Sequence, residues 1–201
     1  MLCAGAIGYR SLHLADINNG QILALNGFGA SNHLVLDLVR ALMPDSPVYV
    51  FACDEAQRAQ ALERGADWAG DTYDLPPQVP DAIIDTKPVW ETVMAALSRL
   101  APGGRLVINA IAKEPGDRNR LTQLDYASQL WKEKEVKPVA NVTRDDIRRF
   151  LDVAAEHGIR PEITVLPMES ANEAVKQIQF GEFLGAFGLL PDQVGLGVPS
   201  N

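Results

Sequence analysis

A pair of glycines between an apolar run and a periodic one constrains this chain more than any other feature. Gln21-Ile-Leu-Ala-Leu-Asn26 is continuous and apolar, and Gly27-Phe28-Gly29 interrupts it. Residues 31–43 then carry Leu34, Leu36, Leu38, Val39 and Leu42 at near-helical spacing. That order predicts a strand, a tight turn and a helix. Pro44-Asp45-Ser46-Pro47 breaks the chain before a second apolar run at residues 48–52, and a polar helix from about residue 55 ends at Gly65. After a loop rich in Asp and Pro at residues 70–80, the grammar continues with a strand at 81–85 and a helix at 90–100. The turn Ala101-Pro-Gly-Gly104 and a strand at 105–110 follow. Strands that read as unbroken apolar runs are buried on both faces, and strands that alternate with helices form a parallel sheet through right-handed crossovers. The expected fold is α/β, a doubly wound parallel sheet.

Composition limits what such a sheet can serve. The 201 residues include 47% hydrophobic and 22% charged, enough for a core, and the net charge of -8 argues against a nucleic-acid binder that works by bulk charge. No apolar run approaches the ~18 residues of a membrane helix. Two cysteines, Cys3 and Cys53, make no disulfide framework, and no basic-then-apolar leader precedes the first helix, so a cytoplasmic location is expected. The last third repeats the pattern once. Residues 135–140 can form a further strand, Thr143-Arg-Asp-Asp146 resembles a capping box with Asp in the Glu position, and a helix is expected to run to about His157. A strand at 163–167, a helix at 169–180 and a glycine-rich end (Gly185, Gly188, Gly195, Gly197) then leave the alternation and read as a tail built to pack on something else.

Gly27-Phe28-Gly29-Ala30-Ser31-Asn32 has a GxGxxN pattern where a dinucleotide fingerprint has GxGxxG. The first glycine permits the tight turn, and the second lets a pyrophosphate approach the amides at the helix start. Asn32 replaces the glycine that sets how closely helix and strand pack. Glycines also serve as plain turns, but a preceding strand and a following helix give this pair the context of a phosphate site. An NAD enzyme places an acidic residue about 20 residues on, at the end of the next strand, to hold the ribose. Here that strand ends at Ala52, followed by Cys53 and Asp54. A small residue makes room for the 2′-phosphate of NADP, Arg58 lies one helical turn on, and Asp54 suits an NAD ribose. The balance tilts towards NADP and leaves NAD open.

Several dispersed motifs now add a resemblance. Leu2-Cys-Ala-Gly5 with Tyr9-Arg10, Gly27-Phe-Gly-Ala-Ser31 with His33, Asp81-Ala-Ile-Ile-Asp-Thr86, Leu100-Ala-Pro-Gly-Gly-Arg-Leu-Val107 and Ala171-Asn-Glu-Ala174 together resemble a zinc-dependent alcohol dehydrogenase of the medium-chain dehydrogenase/reductase superfamily. The match runs from residue 2 to about 189 and covers only the C-terminal, cofactor-binding part. Family members add a GroES-like catalytic domain that supplies most zinc ligands. The resemblance implies a linker helix at 1–20, a Rossmann domain at 21–161 and, at 162–201, a segment returning to the missing catalytic domain. It also implies a nicotinamide cofactor held by Gly27, Gly29, Ala30 and Ser31 at the pyrophosphate and by Cys53, Asp54 and Arg58 near the adenosine ribose. Thr86, Asn109, Ala110 and Ile111 would lie towards the nicotinamide.

Cys3 matches a ligand of the catalytic zinc, which only a complete enzyme would hold. The Gly-His-Glu zinc motif and the structural-zinc cysteines are absent, and Ile7 stands where the family commonly has Thr. No catalytic residue is assigned within the chain. It is therefore expected to bind NADP or NAD, to be inactive alone, and to act on a small alcohol or aldehyde only as part of a complete enzyme. A homodimer joined at the sheet edge near residues 139–142 is the family's usual assembly. Two other readings fit the sheet. One is a stand-alone nucleotide-binding module or subunit, and the other is an S-adenosylmethionine-dependent methyltransferase, which Asn32 and Ala52 disfavour.

Overall fold

The computed structural model describes residues 2–180 and 185–191 and divides into two compact units, Met1–Arg160 and Pro161–Asn201. In the first, helix α1 (Leu2–Ala15) precedes β1 (Leu23–Asn26), α2 (Ala30–Leu42), β2 (Val48–Phe51) and α3 (Glu55–Glu63). Then come β3 (Trp68–Gly70), β4 (Ala82–Asp85), α4 (Trp90–Arg99) and β5 (Arg105–Ile108). A 3-10 turn at Arg118–Gln123, α5 (Tyr126–Gln129), β6 (Glu135–Pro138) and α6 (Arg144–Glu156) complete the unit. All six strands are parallel in the order β3-β2-β1-β4-β5-β6. The doubly wound sheet is as expected.

Apolar residues run without a break along the central strands because both faces are covered. Leu23, Leu25, Val48, Val50 and Ile84 face one core with α2 and Phe150 of α6, whereas Ala24, Tyr49, Phe51, Ile83 and Leu106 face another with Val93, Ala96 and Leu97 of α4. Helix α1 packs within this unit. A Cβ on Gly5 would lie 2.1 Å from the ring of Phe150, and one on Gly8 would lie 2.9 Å from Val35, so the two glycines let α1 approach α6 and α2.

The sequence pattern missed β3, whose three residues are too few to show a period. Trp68 holds it in place, stacking edge-on against Tyr49 and Phe51. The short helical turns within residues 118–129 were also unforeseen. They are capped by local side chains such as Asp125, which accepts from the Ser128 amide, and carry almost no buried apolar face.

The expected capping box forms at the start of α6. Thr143 Oγ1 accepts from the Asp146 amide, and Asp146 Oδ2 accepts from the Thr143 amide at 2.7 Å. Arg10 of α1 lies 3.4 Å from the same carboxylate. Burial acts to raise the pKa of Asp146, but the bonds from Thr143 and the charge of Arg10 outweigh it and hold the carboxyl below its usual range. A depressed pKa contributes stability above the unfolded value and loses it as pH falls through the folded one. Asp146→Ala is therefore expected to cost about 0.5–2 kcal/mol in urea unfolding at pH 7. The deficit should shrink under strongly acidic conditions, and a deficit that does not change with pH would reject this account.

The second unit pairs β7 (Ile163–Pro167) with β8 (Ala186–Leu190) in parallel, with α7 (Ala171–Phe180) between them in sequence. The strand at 186–190 was hidden by its glycines. Gly195 and Gly197 of the expected glycine-rich end lie outside the described residues. Ile163, Val165, Val175, Ile178, Phe180 and Leu190 are all exposed. Among the described residues no helix is long and apolar enough to cross a membrane.

Candidate functional site

Register brings the carboxyl ends of the central strands level, with Asn26 beside Phe51 on one side and Asp85 on the other, and Asp85 beside Ile108. The segments beyond them, residues 27–29, 52–54, 86–87 and 109–111, therefore adjoin one another. The strand order reverses between β1 and β4, and α2 and α4 pack on opposite faces of the sheet. Their loops diverge at this point and leave the crevice where doubly wound sheets bind ligands.

The two glycines of the turn differ in what demands them. Gly27 has φ +83°, and a Cβ there would meet Thr86 Oγ1 at 3.0 Å and Lys87 Cε at 3.1 Å, so both backbone and neighbours require it. Gly29 has an ordinary φ of -99°, and a Cβ on it would meet nothing within 4 Å. No protein atom needs that space. It opens before the first turn of α2, whose leading amides have no intrahelical acceptors and whose N-cap has no side-chain bond. Ala30 and Ser31 start the helix there. The Ser31 hydroxyl donates to Ala4 O at 3.1 Å and accepts from Asn109 Nδ2 at 3.4 Å, so it ties α1 to the end of β5. The residues present fit a pyrophosphate resting on the helix start.

Asn32 does more than occupy a glycine position. It is fully buried, and its Nδ2 donates to Gly27 O at 2.7 Å and lies 3.3 Å from both Asn26 O and Thr86 Oγ1. The Thr86 hydroxyl in turn donates to Asn26 O at 3.0 Å. The side chain of Asn32 thus holds the glycine turn in shape where a third glycine would only have relieved packing. Thr86 directly follows β4, and its hydroxyl is already spent on the turn.

An ion pair unforeseen in the sequence lies beneath this floor. Asp85 is wholly buried at the end of β4, and Lys113, from the segment after β5, places Nζ 2.6 Å from its Oδ2. The same ammonium donates to Lys87 O at 2.6 Å and Val89 O at 3.1 Å, which uses its three protons. Burial raises the pKa of Asp85, and Lys113 opposes that rise without cancelling it. The only sequence signal was a charged residue closing an apolar strand.

Beyond β2, Cys53 is exposed, with Sγ 3.2 Å from Thr72 Oγ1, and Asp54 is the N-cap of α3, accepting from the Ala56 amide at 2.9 Å. Arg58 Nη1 donates to Ala52 O at 2.7 Å and Cys53 O at 2.8 Å. These bonds fasten the guanidinium to the end of β2, so Arg58 and Asp54 flank that strand end together. At the other side Asn109 donates its amide to Asp85 O, Ala110 is half-buried, and Ile111 is fully exposed. The predicted residues therefore lie at or just beyond the adjoining carboxyl ends of β1, β2, β4 and β5.

Cys3 does not share a metal site with them. It is exposed on α1, and among the described residues no group of three His, Cys, Asp or Glu gathers as a metal would need. The described residues do not by themselves fit a zinc centre.

No family model matches the chain. It is 36% identical over 190 residues to a probable alcohol dehydrogenase, AdhA, of Mycobacterium tuberculosis (strain CDC 1551 / Oshkosh), covering 94% of this chain and 53% of that protein. Solved structures with the same fold include CAD from Helicobacter pylori complexed with NADP(H) (TM-score 0.75, 21% identity, 94% of this chain and 53% of that one). Another is acetophenone reductase from Geotrichum candidum in complex with NAD (TM-score 0.77, 18% identity, 92% and 52%). The chain spans about half the length of the curated relatives it matches.

Proposed function

We propose, from the premise that this chain is a relative of the medium-chain alcohol dehydrogenases over about half their length, that it is the NADP- or NAD-binding part of such an oxidoreductase. The observation that carries this reading is the unfilled space at Gly29, before an uncapped helix start at the reversal of strand order. Gly27, Gly29, Ala30 and Ser31 would hold the pyrophosphate, and Cys53, Asp54 and Arg58 the adenosine ribose. Thr86, Asn109, Ala110 and Ile111 would border the nicotinamide, where the exposed Ile111 offers an apolar surface for the ring. When bound, the nicotinamide supplies or accepts the hydride in exchange with an alcohol or aldehyde. The chain's own residues would orient the cofactor, and among the described residues none gathers into a metal centre that could polarise a substrate oxygen.

The exposed apolar residues of the second unit support its assignment as a segment that packs on a GroES-like catalytic domain, because soluble proteins rarely leave such surface uncovered. Cys3 would then be a zinc ligand only in a complete enzyme. A homodimer through the sheet edge is the family's pattern. In this chain the edge strand β6 reads Glu-Val-Lys-Pro, and its charges and proline weaken such pairing. A stand-alone nucleotide-binding module remains the second reading, supported by the completeness of the crevice within the first unit.

Calorimetric titration of the purified chain with NADPH and NADH, alongside a spectrophotometric assay of alcohol oxidation, tests the proposal. Binding without turnover is expected. Failure to bind either nucleotide overturns the proposal, and turnover by metal-free protein overturns the inactivity of the chain alone.

A further inference from the structure

Resting on the reading of the crevice as a nicotinamide dinucleotide site, we propose that Lys87 is a cation of that site that binds the cofactor's pyrophosphate. Its stem lies across the glycine turn, since a Cβ on Gly27 would meet Lys87 Cε at 3.1 Å and Cδ at 3.4 Å. The ammonium is one bond beyond Cε, on a stem that crosses the turn preceding the start of α2. Among the described residues the Lys87 ammonium has no hydrogen bond and no ion pair.

The backbone that carries Lys87 is held by bonds to β1 and to Lys113. Thr86 bonds Asn26 O through both its amide and its hydroxyl, at 3.2 and 3.0 Å. The buried ammonium of Lys113 bonds Lys87 O itself and is anchored in turn by Asp85. Consecutive residues thus divide the work: Asp85 points into the core, Thr86 closes the turn, and Lys87 lies over it.

Of the other cations named beside the crevice, Lys113 is committed and Arg58 is tied to the end of β2. Lys113 has three acceptors already, and Arg58 is fastened by Nη1 to two carbonyls at the ribose end. In a chain of net charge -8, an ammonium whose stem crosses the turn leading into the start of α2 supplies a positive charge suited to a diphosphate seated there. Lys87 faces the group common to NAD and NADP, so it serves affinity for both and does not choose between them.

The test titrates NADPH, NADH and ADP against the wild-type chain, Lys87→Gln and Lys87→Arg, with melting temperature as a folding control. Lys87→Gln is expected to weaken all three ligands by a similar factor, roughly tenfold or more for a lost charge-assisted bond, with the melting temperature unchanged. Lys87→Arg should recover most of the loss. Unchanged affinities in a wild type that binds would overturn the assignment, and a loss confined to NADPH would overturn it in favour of a contact with the 2′-phosphate. A wild-type chain that binds neither NADPH nor NADH would instead overturn the proposed function, and this inference with it.

Discussion

Replacing Lys113 with Met is expected to destabilise the first unit by about 3–5 kcal/mol at neutral pH, because it strands the Asp85 carboxylate in a site with no exposure. The loss comes from an uncompensated buried charge more than from the worth of the pair. Two consequences separate these. The double variant Asp85→Asn, Lys113→Met should be much less destabilised than Lys113→Met alone, since it removes the charge along with its partner. The single variant should also recover in acid. Burial already raises the Asp85 pKa with Lys113 present, and it rises further once the cation is gone. A carboxyl whose folded pKa is raised burdens the fold above that pKa, and the burden disappears as pH falls towards its unfolded value near 3.8. Urea unfolding of the three variants across pH measures both effects. Equal losses in single and double variants would show that Lys113 acts through its bonds to Lys87 O and Val89 O and not through charge.

Gly29→Asp should give the largest functional effect, and stability and affinity should move in different directions. Gly29 is the N-cap of α2 with φ -99° and ψ -174°, an extended conformation that Asp adopts readily, and its Cβ would enter open space. Aspartate is a preferred N-cap, so the melting temperature should hold or rise slightly. The same carboxylate would occupy the space assigned to the pyrophosphate and repel it. Affinity for NADPH and NADH should fall by about 100-fold or more, given the loss of charge-assisted bonds and the added like charge. A variant that binds as the wild type does would remove the glycine turn from the site. Gly27 cannot serve for this test, because its positive φ and its contacts with Thr86 and Lys87 would make any loss a matter of folding.

The glycine turn, the strand ends and the capping box at Thr143 were legible because each is a local signal: a backbone permission, an apolar period or a side chain bonding its own helix. Asn32 was legible as a departure from the glycine pattern, yet its role was not, since its three acceptors come from β1, the turn and the end of β4. The ion pair of Asp85 and Lys113 was out of reach for the same reason. Its partners are 28 residues apart, and neither shows in the sequence as more than a charge beside an apolar run. β3 and β8 escaped because a short or glycine-interrupted strand has no period to read, and its pairing partner lies elsewhere in the chain.

Residue order alone therefore determined the alternation of strands and helices, the parallel sheet they imply, and the end of the sheet at which the glycine turn falls. Those follow from periodicity, turn chemistry and the handedness of crossovers, which act over a few residues. Tertiary structure decided which polar groups around the crevice are spent and which remain free. Arg58 and Lys113 are bound to the protein's own carbonyls, while Lys87 and the space before Gly29 are left open. That division depends on distances between segments far apart in the chain, which only the packed fold sets.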